Sequence, residues 1–187
     1  LPPDHPQCYR TYMDTHLFRP LGLKPEQTHL PAGDAQDPAQ EAIDYENLIA
    51  DGGIDLQLLG LGVNGHIGFN EPSSSLASPT RLKTLTKRTR ADNARYFAAD
   101  EQVPHYAITM GIATIMQARD IIILANGAGK ADAVAAMVEG PIAAICPASI
   151  LQMHPRVRVV IDEAAAAHLT LRDYYETVHP SGNEPAL

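Results

Sequence analysis

The sequence predicts an α/β fold in which an open, mostly parallel β-sheet carries helices on both faces. Two observations support this prediction. Short apolar runs alternate along the chain with longer segments of helical periodicity, and two of the runs, at 54–59 and 121–125, are almost continuously apolar. Continuous apolar runs are typical of parallel strands that are buried on both faces. The run at 121–125 is the clearest strand, and we expect it to lead into a helix at 127–139.

The remaining elements follow from local signals. Asp37 is expected to cap a helix that has Pro38 in its first turn and ends at Gly52 and Gly53. Other helices are predicted at 4–17, 87–97, 112–116, 148–153 and 169–178, and other strands at 80–85, 106–110 and 157–161. We expect a single domain over residues 1–187, with a loose tail after His179.

Composition limits the possible functions. An apolar content of 45% and a charged content of 19% indicate a globular chain. The net charge of -8 argues against nucleic acid or an anionic membrane as the main partner, although a local cluster of cations could still bind a small anion. No run is long enough for a membrane span, and no signal peptide is visible. Cys8 and Cys146 are far apart, so we expect two buried or idle thiols in a reducing cytoplasm.

A glycine-rich segment, LLGLGVNGHIGFNEP at 58–72, follows the first predicted strand. In a parallel sheet, ligands bind beyond the carboxyl ends of the strands. Glycines such as Gly62 and Gly65 allow the backbone to approach a ligand closely. The segment also carries Asn64, His66 and Glu71 within a few positions of one another. Imidazole can pass a proton in both directions near neutral pH, and a carboxylate can orient it or raise its basicity. We therefore predict a proton-transfer site here.

The segment also has features of two other kinds of site. Gly60, Gly62 and Gly65 also spell a dinucleotide-binding fingerprint, which needs a helix at the third glycine and an acidic residue about 20 positions later. Pro72 and the serines that follow it oppose a regular helix, and residues 81–86 contain no acid. We interpret this match as accidental. A metal site is not expected either, because no nearby histidine or cysteine completes a ligand set.

Beyond the loop, the chain resembles the glucosamine-6-phosphate deaminases, which belong to the glucosamine/galactosamine-6-phosphate isomerase family. The similar segments are GLGVNGHIGFNEP, SSLASPTRLKTL and the stretches at 89–97, 103–134 and 149–163. The related 6-phosphogluconolactonases share the glycine-histidine loop but not the Phe-Asn-Glu-Pro continuation. The resemblance implies a Rossmann-like sheet and a cytoplasmic enzyme of the hydrolase/isomerase type. It would convert glucosamine 6-phosphate to fructose 6-phosphate and ammonia without a cofactor or metal.

The resemblance also implies roles for individual residues. His66, helped by Glu71 and Asn64, would open the sugar ring. Many members have Asp where this chain has Asn64, and an amide can bond to the imidazole but cannot take its proton. Arg95 and Lys130 match the binders of the substrate phosphate. A possible allosteric site for N-acetylglucosamine 6-phosphate, between the subunits of a hexamer, would use Ser74, Arg81, Lys83 and Thr84. The alternative for this last set is a polar edge strand with Arg81 and Lys83 on one face.

The family has a further segment ahead of the matching residues, with a first strand, a phosphate-holding loop and the Asp of an Asp-Glu-Tyr motif that abstracts the C2 proton. No Asp of this sequence matches that base. We therefore expect a sheet that lacks its first strands, exposes an apolar edge and aggregates, and a chain with little or no deaminase activity of its own. Alternatives are a 6-phosphogluconolactonase-type hydrolase and a non-catalytic domain that senses sugar phosphates.

Overall fold

The computed structural model describes residues 1–182; residues 183–187, within the tail predicted to be loose, lie outside the described residues. The helices are α1 Tyr9–Met13, α2 Pro38–Gly52, α3 Lys87–Ala94, α4 Ile112–Ile115, α5 Ala131–Val138 and α6 Arg172–Val178. The strands are β1 Leu56–Gly60, β2 Arg81–Thr84, β3 Tyr106–Thr109, β4 Asp120–Ala125 and β5 Val157–Ile161. A π-helical turn covers Asp14–Phe18, and 3-10 turns cover Pro25–Gln27, Ala128–Lys130, Pro147–Met153 and Pro180–Gly182. None of the helices described within residues 1–182 is long and apolar enough to cross a membrane.

The chain divides into two compact units. The first comprises Leu1–Ile54 and Ala77–Gln117, and the second comprises Asp55–Leu76 and Ala118–Leu187. The single domain expected from the sequence stays a prediction.

The second unit contains a parallel sheet with the strand order β1-β4-β5. Leu59 lies opposite Ile123, which in turn lies opposite Val159. One face of this sheet forms the core, where Leu59 is 7% exposed and Ile121 and Ile123 are each 1% exposed. The predicted parallel sheet is therefore confirmed, and its strands begin and end within two residues of the predicted positions.

The other face of the sheet is apolar but exposed. Side chains alternate between the two faces along each strand. Four apolar side chains on this face are between 45% and 60% exposed: Leu56, Leu58, Leu124 and Val160. The prediction that the first strand is buried on both faces is thus wrong for the described chain. Continuous apolar sequence shows that a strand is suited to burial on both faces, but a second covering layer must be present to bury it.

The first unit contains a two-stranded antiparallel sheet of β2 and β3, in which Arg81 lies opposite Thr109. Both strands were predicted, but they do not belong to the parallel sheet. The N-terminus of α2 is also as predicted, since the Asp37 side chain accepts hydrogen bonds from Ala39 N and Gln40 N. Gly53, with φ of 70°, follows the last turn. A left-handed glycine at this position is a common way to end a helix.

The first predicted helix is shorter than expected. It begins at Tyr9 rather than at residue 4, because residues 4–8 form turns in which Cys8 N donates to His5 O. Pro6 lies in that stretch and has no N–H to contribute to a helical ladder. At its other end, α1 continues directly into the π-helical turn at Asp14–Phe18.

Glu46 fastens α2 to two other parts of the first unit. Its carboxylate accepts a hydrogen bond from Thr80 N at 2.9 Å, immediately before β2, and bonds from Thr114 Oγ1, in α4, at 2.8 and 3.0 Å. Burial raises the pKa of the Glu46 carboxyl, but the hydrogen bonds from Thr80 and Thr114 together outweigh burial and lower that pKa below its ordinary value. The ionised form is thus the one that holds the three segments together.

We expect Glu46→Gln to lower the free energy of unfolding by about 1–2 kcal/mol at pH 7, because an amide NH₂ would face the Thr80 N–H. A lowered folded-state pKa gives stability that is present above the unfolded-state pKa, about 4.3 for Glu, and is lost as the pH falls through the folded-state value. The gap between wild type and variant should therefore narrow below about pH 4. Urea unfolding at pH 7 and below about pH 4 measures this difference in stability. Glu26→Gln is the control, because Glu26 is exposed. Equal stabilities of wild type and Glu46→Gln at pH 7 would contradict the assignment.

Candidate active site

The glycine-rich loop leaves the carboxyl end of β1 and turns back on itself at once. Gly65 N donates to Gly62 O at 2.9 Å, and Gly62 N donates to His66 O at 2.9 Å. Gly65 has φ of 80°, a conformation that residues with a Cβ rarely adopt. No helix begins at Gly65, which is the element that a dinucleotide fingerprint requires. The loop instead forms a tight turn that presents His66.

Gly62 is required by the position of the imidazole. A Cβ built on Gly62 would overlap the ring atoms of His66. Gly60, two residues earlier, has open space at the same position. The backbone at Gly62 therefore forms one wall against which the His66 ring lies, and only glycine permits that approach.

Asn64, His66 and Glu71 form one hydrogen-bonded group. Asn64 Nδ2 donates to Glu71 Oε2 at 2.8 Å, and Asn64 Oδ1 lies 2.7 Å from His66 Nδ1. Glu71 Oε2 lies 3.5 Å from the same ring nitrogen, which is long for a direct N–H···O bond. The carboxylate therefore acts on the ring mainly through the Asn64 amide. Glu71 is 4% exposed, whereas the His66 side chain is 23% exposed.

This group determines which nitrogen of His66 carries the proton. Because the amide NH₂ of Asn64 is directed to Glu71, its oxygen faces the ring, and an amide oxygen only accepts. Neutral His66 must therefore hold its hydrogen on Nδ1. Nε2 then carries the lone pair and is the nitrogen that can take a proton from a substrate.

Asn70 is a structural residue of the loop that the sequence reasoning did not single out. It is 0% exposed, and both its backbone N and its side-chain Nδ2 donate to Ile67 O, at 3.1 and 2.9 Å. Ile67 is itself fully buried. A polar amide between Phe69 and Glu71 was the available signal, because Asn readily bonds to backbone within turns.

Lys130 joins the loop that follows β4 to the loop that follows β1. Its Nζ donates to Leu61 O at 2.6 Å, the carbonyl of the residue directly before Gly62. Lys130 lies just before α5, as the sequence predicted for a residue at a helix start. An ammonium has three N–H donors, so this contact leaves capacity for an anion.

Asp162 also bonds to the loop that follows β4, and the sequence reasoning did not single it out. Gly127 N lies 3.0 Å from each carboxylate oxygen of Asp162, and Ala165 N donates to it at 2.8 Å. These bonds lower the pKa of the Asp162 carboxyl, and the bond from Ala165 N has a larger effect than the bonds from Gly127 N. A groove of about 400 Å³ lies next to it, between the ends of β4 and β5, and does not include His66.

The remaining predicted residues lie mostly in the first unit. Arg95 follows α3, where its Nη2 lies 2.8 Å from Tyr96 Oη and its guanidinium lies 4.8 Å from the centroid of that ring. Arg81 and Lys83 share one face of β2, and Thr84 lies on the other. Ser74 belongs to the second unit, and its buried hydroxyl has no hydrogen-bond partner among residues 1–182. Among the described residues, no three or more His, Cys, Asp and Glu side chains are grouped to hold a metal ion.

Comparison with known proteins places these features in a family. The sequence model described as glucosamine-6-phosphate isomerases/6-phosphogluconolactonase matches residues 1–160. The glucosamine-6-phosphate deaminase of Hahella chejuensis is 60% identical over 177 residues, which are 94% of this chain and 67% of the relative. The deaminase of Streptomyces coelicolor is 54% identical over 187 residues, which are 99% of this chain and 71% of the relative.

Solved structures agree with this placement. A monomeric glucosamine-6-phosphate deaminase superposes with a TM-score of 0.86 at 44% identity, covering 90% of this chain and 70% of that one. The 6-phosphogluconolactonase of Trypanosoma cruzi superposes with a TM-score of 0.65 at 19% identity, covering 91% of this chain and 69% of that one, so it shares the fold alone. The chain therefore belongs to the family of glucosamine-6-phosphate isomerases and 6-phosphogluconolactonases.

Proposed function

We propose that this chain is a glucosamine-6-phosphate deaminase, whose reaction takes up water and yields fructose 6-phosphate and ammonia. The single observation that carries the proposal is the bonded group of Glu71, Asn64 and His66 on a loop at the carboxyl end of β1. The relatives that are 54–60% identical to this chain over 177–187 aligned residues bear that name. A 6-phosphogluconolactonase is the competing member of the same family.

His66 would perform the ring-opening step. Opening a pyranose requires removal of the proton from the anomeric hydroxyl and delivery of a proton to the ring oxygen. With its hydrogen on Nδ1, His66 can take the first proton on Nε2 and return it from the same atom. The buried Glu71 carboxylate stabilises the transient imidazolium through Asn64 and across the 3.5 Å separation. Asn64 itself stays neutral throughout.

The substrate phosphate would be bound by Arg95 and Lys130. The Lys130 ammonium already lies next to the catalytic loop through Leu61 O, and its remaining donors suit a phosphate oxygen. Arg95 offers a planar fork for two oxygens, once it exchanges its contact with Tyr96 for the ligand.

The isomerisation also needs a base that removes the proton from C2. The family resemblance gives this role to an Asp that no Asp of this sequence matches. We therefore infer that the 187-residue chain alone opens the ring of glucosamine 6-phosphate but releases ammonia slowly.

Three lesser proposals accompany the main one. A binding site for N-acetylglucosamine 6-phosphate would use Ser74, Arg81, Lys83 and Thr84. The shared face of Arg81 and Lys83 supports only the cationic part of this site. Assembly into a homo-oligomer belongs to the same proposal. A cytoplasmic location follows from the substrate, because a charged sugar phosphate does not cross a bilayer unaided.

The proposed function is tested by incubating the chain with glucosamine 6-phosphate and following three events separately. We expect faster exchange between the α- and β-anomers in NMR, because that exchange needs only ring opening. We expect slow exchange of the C2 hydrogen with D₂O, and correspondingly slow formation of ammonia and fructose 6-phosphate.

The competing outcomes are distinct. Hydrolysis of 6-phosphogluconolactone without anomer exchange would show a lactonase. Tight binding of a sugar phosphate with neither reaction would show a sensor. Ammonia release at the rate of one of the matched deaminases would overturn the inference about the C2 base and leave the main proposal standing.

We expect His66→Gln to slow anomer exchange by about 10²–10⁴-fold, the usual contribution of a general acid–base group. Glutamine keeps a polar side chain of similar size, so the thermal midpoint should stay close to that of wild type. His168→Gln is the matched control, since His168 is an exposed histidine paired with Asp132 in the same unit. Unchanged exchange in His66→Gln would show that another group moves the proton.

Gly62→Ala should also slow exchange strongly, by at least about 10²-fold, because the new methyl group would displace the imidazole. Gly60→Ala is the control, since a Cβ there meets nothing within 4 Å. Both rates are measured beside the thermal midpoint. A Gly62→Ala rate as high as that of Gly60→Ala would mean that the ring does not react from this position.

A further inference from the structure

The turn that carries His66 rests on a second segment of the same unit, residues 143–149, which we call the bracket. Two backbone hydrogen bonds join the loop to the bracket. Ser73 N donates to Ala144 O at 2.8 Å, and Ala148 N donates to Gly65 O at 2.9 Å. These bonds lie on either side of the stretch that contains His66 and Glu71, so the bracket fixes both ends of the catalytic group.

The bracket is held together by its own hydrogen bonds. Ser149 Oγ accepts from Ala143 N at 2.9 Å and lies 3.2 Å from Ala143 O, and Cys146 N donates to Ala143 O at 3.0 Å. Ala148 and Ser149 are each 0% exposed. This hydrogen-bonded segment, with its buried end at Cys146–Ser149, can support the neighbouring loop.

Cys146 contacts the loop at Gly65, the residue that precedes His66. Its Sγ lies 2.5 Å from the place that a Cβ on Gly65 would occupy, with its own Cα and Cβ each 3.4 Å from that place. The sulfur therefore fills the space beside Gly65, the residue that precedes His66. Cys146 is 7% exposed, and burial raises the pKa of its thiol, so the group is a protonated packing group rather than a nucleophile.

We propose that Cys146 is a positioning residue for ring opening, and that its sulfur sets the place of the Gly65–His66 turn against the bracket. The inference rests on the proposed function, since it concerns the same histidine. It goes beyond that function by assigning a role to a buried side chain that packs against the turn at Gly65. The physical reason is steric: the turn has no side chain at Gly65, and the sulfur stops the backbone from moving into the empty space.

A suppression experiment tests the contact directly. Gly65→Ala should lower the rate of anomer exchange by about 10²-fold or more, because the new methyl group meets the sulfur and the left-handed φ adds strain. Cys146→Ala should lower the kcat of anomer exchange by about tenfold and leave its KM within about twofold of wild type. This is expected when a reacting group is displaced without loss of binding. In the double variant the methyl group enters the space left by the sulfur. We expect it to exchange at least about tenfold faster than Gly65→Ala alone.

Cys8→Ala is the matched control, because Cys8 is also a buried free cysteine, 8% exposed, and belongs to the first unit. It should leave kcat unchanged. A double variant no faster than Gly65→Ala would overturn the proposal, as would a kcat for Cys146→Ala equal to that of Cys8→Ala.

A second measurement separates this inference from the proposed function. With ¹³C-labelled histidine, the ring signals of His66, assigned through His66→Gln, should shift in Cys146→Ala and stay in place in Cys8→Ala. If the wild-type chain opens no sugar ring, the proposed function fails. The imidazole signals of His66 still show whether Cys146 positions that side chain. Ring signals that do not move in Cys146→Ala would overturn the inference even in an active chain.

Discussion

The burial of Glu71 is the constraint on which the site depends. A carboxylate that is 4% exposed is costly unless donors surround it, and the loop supplies one of them from the Asn64 amide. Once that amide is directed to Glu71, its oxygen has to face His66, and the hydrogen of the ring has to be on Nδ1. A single buried charge thus determines the orientation of an amide and, through it, the nitrogen that is able to accept a proton.

Parallel strands then bring the supporting groups to the same edge. The carboxyl ends of β1, β4 and β5 are adjacent, so the short loops that follow them can bond to one another. Lys130 fastens the loop after β4 to Leu61, and Asp162 at the end of β5 fastens that loop to its own strand end. The loop after β1 is thus held by the Lys130 side chain as well as by its own backbone hydrogen bonds.

What could be predicted from the sequence was mostly local. The start of α2 depends on Asp37 and Pro38, and the end on Gly53, all within a few bonds of the helix, so the pattern was sufficient. The hydrogen-bonded group of Asn64, His66 and Glu71 could be predicted because its three residues lie within one loop. The pairing of β2 with β3 and the exposed face of β1 depend on which segments meet in space, and alternation along one strand does not contain that information. Cys146 escaped for the same reason, since its contact with Gly65 joins residues that are distant in the chain.

Asn64 shows how the loop separates two tasks that a carboxylate at the same position would combine. A carboxylate next to Nδ1 would orient the ring and also stabilise its protonated form directly. The amide orients the ring equally well at 2.7 Å but contributes no charge, which leaves the stabilisation of the imidazolium to Glu71 at 3.5 Å. Charge attraction weakens with distance, so the protonated ring is held less strongly than it would be by a carboxylate in contact. In the proposed ring opening the same nitrogen takes a proton from one oxygen and returns it to another, and the amide, unlike a carboxylate, cannot take that proton itself.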